Sequence, residues 1–185
     1  MHETSRRLDA QTRRSDCAQQ RRDAPDPLPT LGSGRCLILA CGNSLRTDDG
    51  VGPRLAEWAE ERFREDASVR VVSRQQWTPD LAAEIAGADS VLFIDSSVES
   101  KPGQVSLIPV APHASGTRPF SHHLDAPELL GLTRSLYGSM SAHAMLLTVG
   151  AGSTELGEAL SEPVEAALPR ARGVLEKAVM RFVEN

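Results

Sequence analysis

Apolar positions in this chain follow two alternating rhythms from about residue 36 onward. Cys36-Leu37-Ile38-Leu39-Ala40-Cys41 and Val91-Leu92-Phe93-Ile94 are continuous apolar runs of strand length, as expected of strands buried on both faces. Val69-Arg70-Val71-Val72 and Met145-Leu146-Leu147-Thr148-Val149 read as further strands. Between these runs the period changes. Val51, Leu55, Trp58, Ala59 and Phe63 recur at helical spacing with Glu57, Glu60, Glu61 and Arg64 outside, and Pro79 to Ala86 reads as a short helix. Ala126, Leu129, Leu130, Thr133 and Leu136 form a third stripe. Val164, Ala167, Leu168, Ala171, Leu175, Ala178, Val179 and Phe182 form a fourth, interrupted at Pro169, where a kink or a restart is expected.

The β-α-β-α-β order predicts a parallel sheet with right-handed crossovers. After the Pro102-Gly103 turn, Val105-Ser106-Leu107-Ile108 returns too soon for a crossover, so this strand is expected antiparallel to its predecessor. The expected class is α/β: a three-layer sandwich whose twisted sheet has about five strands, mostly parallel with one antiparallel, and helices on both faces.

Residues 1–34 have neither rhythm. They are polar and rich in Arg and Gln, and they end in Pro25, Pro27, Pro29, Gly32 and Gly34, which reads as a disordered extension ahead of one domain over 35–185. The formal charge is −5, and seven Arg against five acids in the first 35 residues leave −7 on the remainder, which argues against a nucleic-acid partner. No apolar run reaches membrane-spanning length. The pairs Arg6-Arg7 and Arg13-Arg14 precede no hydrophobic segment, so no signal peptide is read and the expected location is cytoplasmic. Cys17, Cys36 and Cys41 form neither a C-x-x-C pair nor an even framework, consistent with reduced thiols, and Cys41 at a strand end fits packing better than nucleophilic chemistry.

Three stretches carry chemistry: Gly42-Asn43-Ser44-Leu45-Arg46-Thr47-Asp48-Asp49-Gly50, Phe93-Ile94-Asp95-Ser96 and Ser121-His122-His123-Leu124. The first two follow buried strands, so each places a carboxylate at the edge where parallel α/β sheets bind ligands. Singly, Asp48 or Asp49 reads as an N-cap, Asp95 as a strand-end turn and a loop histidine as a surface group. Together, carboxylate oxygens and an imidazole suit a divalent ion such as nickel or zinc and are poor for copper(I). Gly42, Gly50 and Gly52 permit positive φ and close backbone approach around the acids. The loop has no Walker lysine and no G-x-G-x-x-G series, and paired acids repel phosphate. His2, His113 and His143 carry less weight, and Trp77 fits packing better than a substrate groove.

The strand-loop-helix Ala40-Cys41-Gly42-Asn43-x-Leu45-x-x-Asp48-Asp49-Gly50-x-Gly52 resembles the opening signature of the hydrogenase maturation proteases. Further landmarks follow in order: Gln75-Gln76-Trp77-Thr78-Pro79-Asp80-Leu81, Ile94-Asp95, Ser121-x-His123-Leu124, Glu155-Leu156-Gly157-Glu158 and Leu160-Ser161. The resemblance covers roughly Arg35 to the C-terminus. Ala40 departs from it, standing where the family commonly has Gly, and His122 stands beside the expected imidazole ligand.

By position, the resemblance implies Asp49, Asp95 and His123 as metal-binding and catalytic residues. It also implies an endopeptidase that removes the C-terminal extension of a [NiFe] hydrogenase large-subunit precursor. The nickel is then carried by the precursor's thiolates, the three residues complete its coordination, and zinc or cadmium are possible substitutes. Cleavage by a metal-activated water and by an aspartate general base are both compatible with the residues. Three donors without a thiolate leave open coordination positions, so weak metal binding by the isolated protein is expected. The alternative is a non-catalytic nickel-binding accessory protein of hydrogenase assembly using the same donors.

Overall fold

The computed structural model describes residues 35–113, 124–138 and 143–184. Its elements in chain order are β1 (Cys36–Cys41), α1 (Val51–Arg62), β2 (Val69–Arg74), α2 (Leu81–Ala86), β3 (Ser90–Ser97), β4 (Val105–Pro109), α3 (Ala126–Tyr137), β5 (His143–Gly150) and α4 (Glu162–Val183). A single 3-10 turn, Thr47–Gly50, leads into α1. The sheet order is β2-β1-β3-β5-β4. β2, β1, β3 and β5 are parallel, and β4 runs antiparallel to β5.

Strand alternation divides the core into two layers. Ile38 and Ala40 of β1, with Leu92 and Ile94 of β3, face Val51, Leu55 and Ala59 of α1 and the whole apolar stripe of α4. Leu37 and Leu39, with Val91 and Phe93, face Leu81 and Ile85 of α2 and Leu129 and Leu130 of α3. Runs that are apolar at every position are what a sheet covered on both sides requires. The expected three-layer α/β sandwich is therefore the observed one.

Three details differ from expectation. β4 opposes the direction of β3, as expected, but its neighbour is β5: Val105 pairs with Val149 and Pro109 with Met145. Insertion of β5 beside β3, from Ser90↔His143 to Ser97↔Gly150, moves β4 to the sheet edge, where Pro109 is tolerated. α4 continues through Pro169 without a restart. Its eight stripe residues are buried, so packing along the whole helix outweighs the local cost of one proline. Leu136 on the α3 stripe is 62% exposed, while Thr133 is buried and its hydroxyl donates to the Leu129 carbonyl at 2.8 Å. The expected extension 1–34 and most of the long Pro109–Ser121 loop lie outside the described residues.

Candidate active site

In the order β2-β1-β3, the chain leaves β1 for one side and later returns on the other. Loops diverge at such a reversal, which opens a crevice at the carboxyl ends of the strands. β1 pairs with β3 only as far as Ala40↔Ile94, while β3 continues against β5 through Asp95↔Thr148 and Ser96↔Val149. Asp95 therefore lies inside a strand, not after one, at the point where β1 has already turned away.

The loop from β1 is folded tightly over this edge. Gly42 has φ +140°, and a Cβ there would lie 2.0 Å from the Asp49 carbonyl oxygen. A Cβ on Gly52 would lie 1.9 Å from the Cys41 carbonyl oxygen, so α1 begins almost in contact with the end of β1. Gly50 does not use its freedom, with φ −70°; the other left-handed residue of the loop is Thr47, φ 42°. Thr47 is compensated by its hydroxyl, which donates to the Ser153 carbonyl at 2.7 Å.

Asp48 and Asp49 are neighbours with unrelated environments. Asp48 is 0% exposed, and its carboxylate accepts from the amides of Gly152 (2.7 Å), Ser153 (3.0 Å) and Ser161 (2.6 Å) and from the Ser161 hydroxyl (2.8 Å). Burial alone would raise its pKa, but those four donors outweigh it and hold the carboxyl below the usual range. The backbone reinforces the join: Thr47 N donates to Gly157 O, Gly157 N to Leu45 O and Asp48 N to Ser153 O. Asp48 thus ties the first loop to the segment before α4.

Asp49 turns the other way. Its Oδ2 accepts from the Asn43 amide at 2.8 Å and its Oδ1 from the Ser96 hydroxyl at 2.9 Å. The Asn43 side chain in turn accepts from the Leu45 amide at 3.0 Å, which stiffens the loop beneath the acid. Asp95 Oδ1 accepts from the Ser96 amide at 2.8 Å. Burial pushes the Asp95 carboxyl up to about 7; the Ser96 amide opposes the shift and the charge of Asp49 adds to it. Among the described residues, the ion pairs are Arg35–Asp89, Arg62–Glu176, Arg64–Glu61 and Arg70–Glu84, so neither Asp49 nor Asp95 has a basic partner there. Two carboxylates in mutual repulsion without a protein cation are suited to an added one.

His122 and His123, the candidate imidazoles, lie outside the described residues. Leu124, the next residue in sequence, packs against the cluster that contains Phe93, and by strand alternation Asp95 lies on the Phe93 face. Cys41 is half-buried; its thiol donates to the Gln75 carbonyl at 3.5 Å. Burial, then the charges of Asp95 and Asp49, push its pKa up to about 12, so it is a poor nucleophile at neutral pH. Trp77 is 5% exposed and packs edge-on against Phe93 at 5.2 Å between centroids, which makes it core. Among the described residues, one set of three metal-type side chains brings donor atoms within 4.8 Å of one another: His113, Asp125 and Glu128. Asp125 and Glu128 form the reciprocal capping box of α3, which accounts for their proximity.

Sequence reasoning gave no part to Asp48 beyond a local cap and none to Ser96. Ser96 had a signal, its position next to an acid at the end of a buried strand. Asp48 had none, because its partners are more than 100 residues away.

The class defined by this geometry is an open, doubly wound α/β protein with a carboxylate pair at the sheet's topological reversal. Family models and curated proteins give no match to the chain. Solved structures do. The hydrogenase maturating endopeptidase HybD of E. coli superposes with a TM-score of 0.63 at 23% identity, covering 78% of this chain and 91% of that one. The [NiFe] hydrogenase maturation protease HybD of Thermococcus kodakarensis gives 0.58 at 25% identity, over 78% and 98%. The [NiFe] hydrogenase maturation protease HycI of Thermococcus kodakarensis KOD1 gives 0.57 at 24% identity, over 83% and 95%. The chain has the fold of these hydrogenase maturation endopeptidases, and that likeness supports the family resemblance carried by its motifs.

Proposed function

We propose that this protein is an endopeptidase of hydrogenase maturation that removes the C-terminal extension of a [NiFe] hydrogenase large-subunit precursor, acting in the cytoplasm after nickel has been inserted. The observation that carries the reading is the Asp49–Asp95 pair, joined through Ser96 at the reversal of a fold shared with maturation endopeptidases. Asp49, Asp95 and His123 bind the nickel that the precursor brings, and the metal docks the substrate with its scissile peptide beside the two acids. A substrate-borne cation offsets the repulsion between the carboxylates, so a precursor without nickel is held less well. Mixed oxygen and imidazole donors fit nickel, and also zinc or cadmium as substitutes.

In this reading Asp49 is fixed by two donors and serves as an electrostatic anchor. Asp95 has one oxygen, Oδ2, without a hydrogen bond among the described residues. That oxygen is placed to accept a proton from an attacking water, a general-base role that contributes roughly 10²- to 10⁴-fold where it operates. The test is cleavage of purified precursor followed by mass spectrometry. Nickel-loaded precursor should lose its C-terminal peptide and nickel-free precursor should not. Efficient cleavage of metal-free precursor in chelator would overturn the nickel reading, and metal transfer without any mass loss would make the protein an accessory metal carrier.

A further inference from the structure

Ser96 touches both acids of the pair. Its amide donates to Asp95 Oδ1 at 2.8 Å and its hydroxyl donates to Asp49 Oδ1 at 2.9 Å. Asp95 is its chain neighbour, but Asp49 comes from a separate loop, 47 residues earlier in the sequence. The backbone of Ser96 is fixed by its register with Val149 of β5, so the hydroxyl is presented from a rigid strand.

The second oxygen of Asp49 is held by the Asn43 amide at 2.8 Å. Each oxygen therefore has one donor, which sets the plane of the carboxylate and leaves lone pairs for a further ligand. Without the hydroxyl, Asp49 would be held at one oxygen only and free to rotate away from the negative charge of Asp95. The chemical type of the donor matters as well. A lysine or arginine in this place would hold Asp49 as firmly but would cancel the charge a metal needs, whereas a neutral hydroxyl orients the acid and leaves its charge intact.

We propose that Ser96 is a positioning residue that aims the Asp49 carboxylate at a divalent cation shared with Asp95. The proposal rests on the reading of this edge as a nickel-binding processing site, and it concerns how this chain's own residues build that site. Removing the hydroxyl leaves the Asp95 contact in place, because that contact comes from the backbone, so the effect acts through Asp49.

The test uses the full chain with Ser96→Ala and Ser96→Thr. Nickel chloride is titrated up to millimolar concentration, and binding is read from paramagnetic broadening of amide signals at the C-terminal end of β3. Cleavage of nickel-loaded precursor and thermal melting are measured in parallel. Ser96→Ala should weaken nickel binding about tenfold or more, the range for loss of an outer hydrogen bond to a metal ligand. It should raise KM for nickel-loaded precursor by a similar factor, with kcat less changed, and leave the melting temperature in place, and Ser96→Thr should restore binding and KM. Nickel broadening by Ser96→Ala that matches the parent, failure of Ser96→Thr to restore it, or no broadening of the parent at millimolar nickel would each overturn the proposal. If the parent binds nickel but does not cut the precursor, the endopeptidase reading falls while the titration still decides the role of Ser96.

Discussion

Asp48 accepts twice from Ser161, from the amide at 2.6 Å and from the hydroxyl at 2.8 Å, across a separation of 113 residues. Ser161 is also the N-cap residue of α4, so one buried acid holds the loop after β1 against the start of the last helix. Asp49, which bonds to Asn43 and Ser96 on the other side of the loop, inherits its place from this neighbour.

Asp48→Ala should therefore be costly. Three amides and a hydroxyl would lose their acceptor in an enclosed site, for a loss of about 3 kcal/mol or more. In a domain of this size that lowers the melting temperature by roughly 6–12 °C. A thermal melt within 2–3 °C of the parent would show that water replaces the carboxylate without penalty.

Asp95 predicts a pH dependence of stability in the metal-free protein. Its folded pKa is raised to about 7, against an unfolded value near ~3.9, so the folded state binds more protons between these values. Stability from this group is fully present below about pH 4 and is lost as pH rises through about 7. Asp48 has the opposite sign: its folded pKa is lowered, so its contribution is present above the ordinary carboxylate pKa and is lost as pH falls through the folded value. In chelator, Asp95→Asn should flatten the decline between about pH 4 and 7 and melt several degrees above the parent at pH 8. Parallel pH profiles for the two proteins would refute the assignment.

Asp49→Asn, Asp95→Asn and His123→Ala should each abolish precursor processing, because loss of any donor weakens an open metal site. The Asp49 and Asp95 variants should keep a native circular dichroism spectrum and a cooperative melt. His122→Ala should be milder than His123→Ala; the reverse order would move the imidazole ligand to His122.

Residues 1–34 should be dispensable for folding. Their composition buries too little apolar surface to offset ordering costs of about 1–2 kcal/mol per residue. A chain beginning near Gly34 should retain a single cooperative thermal transition, and its disappearance would show that the extension contributes to the core.

The parts of the fold that could be read from the sequence are those whose signal is local. β1 and β3 announce themselves as apolar at every position because both faces of the sheet are covered. The α4 stripe survives Pro169 because a period of 3.6 is visible over many turns. The neighbour of β4 was not legible, since four apolar residues fix a direction of return but not the strand that will intervene. The same limit applies at the site. Asp49 and Asp95 could be located from their strands and from the motif, whereas the burial of Asp48 and the reach of Ser96 depend on segments brought together only by folding. Two adjacent aspartates look alike in sequence; their separate duties come from what packs against each.

The tie between Asp48 and Ser161 also sets an order of events during synthesis. The loop after β1 is made early, but the donors to its buried carboxylate come from the segment 152–161, translated more than 100 residues later. A nascent chain can thus form β1, β2 and β3 while the acid pair is still unanchored. A product lacking α4 and the turn before it would therefore carry the motif of the first loop without the contacts that hold it in place.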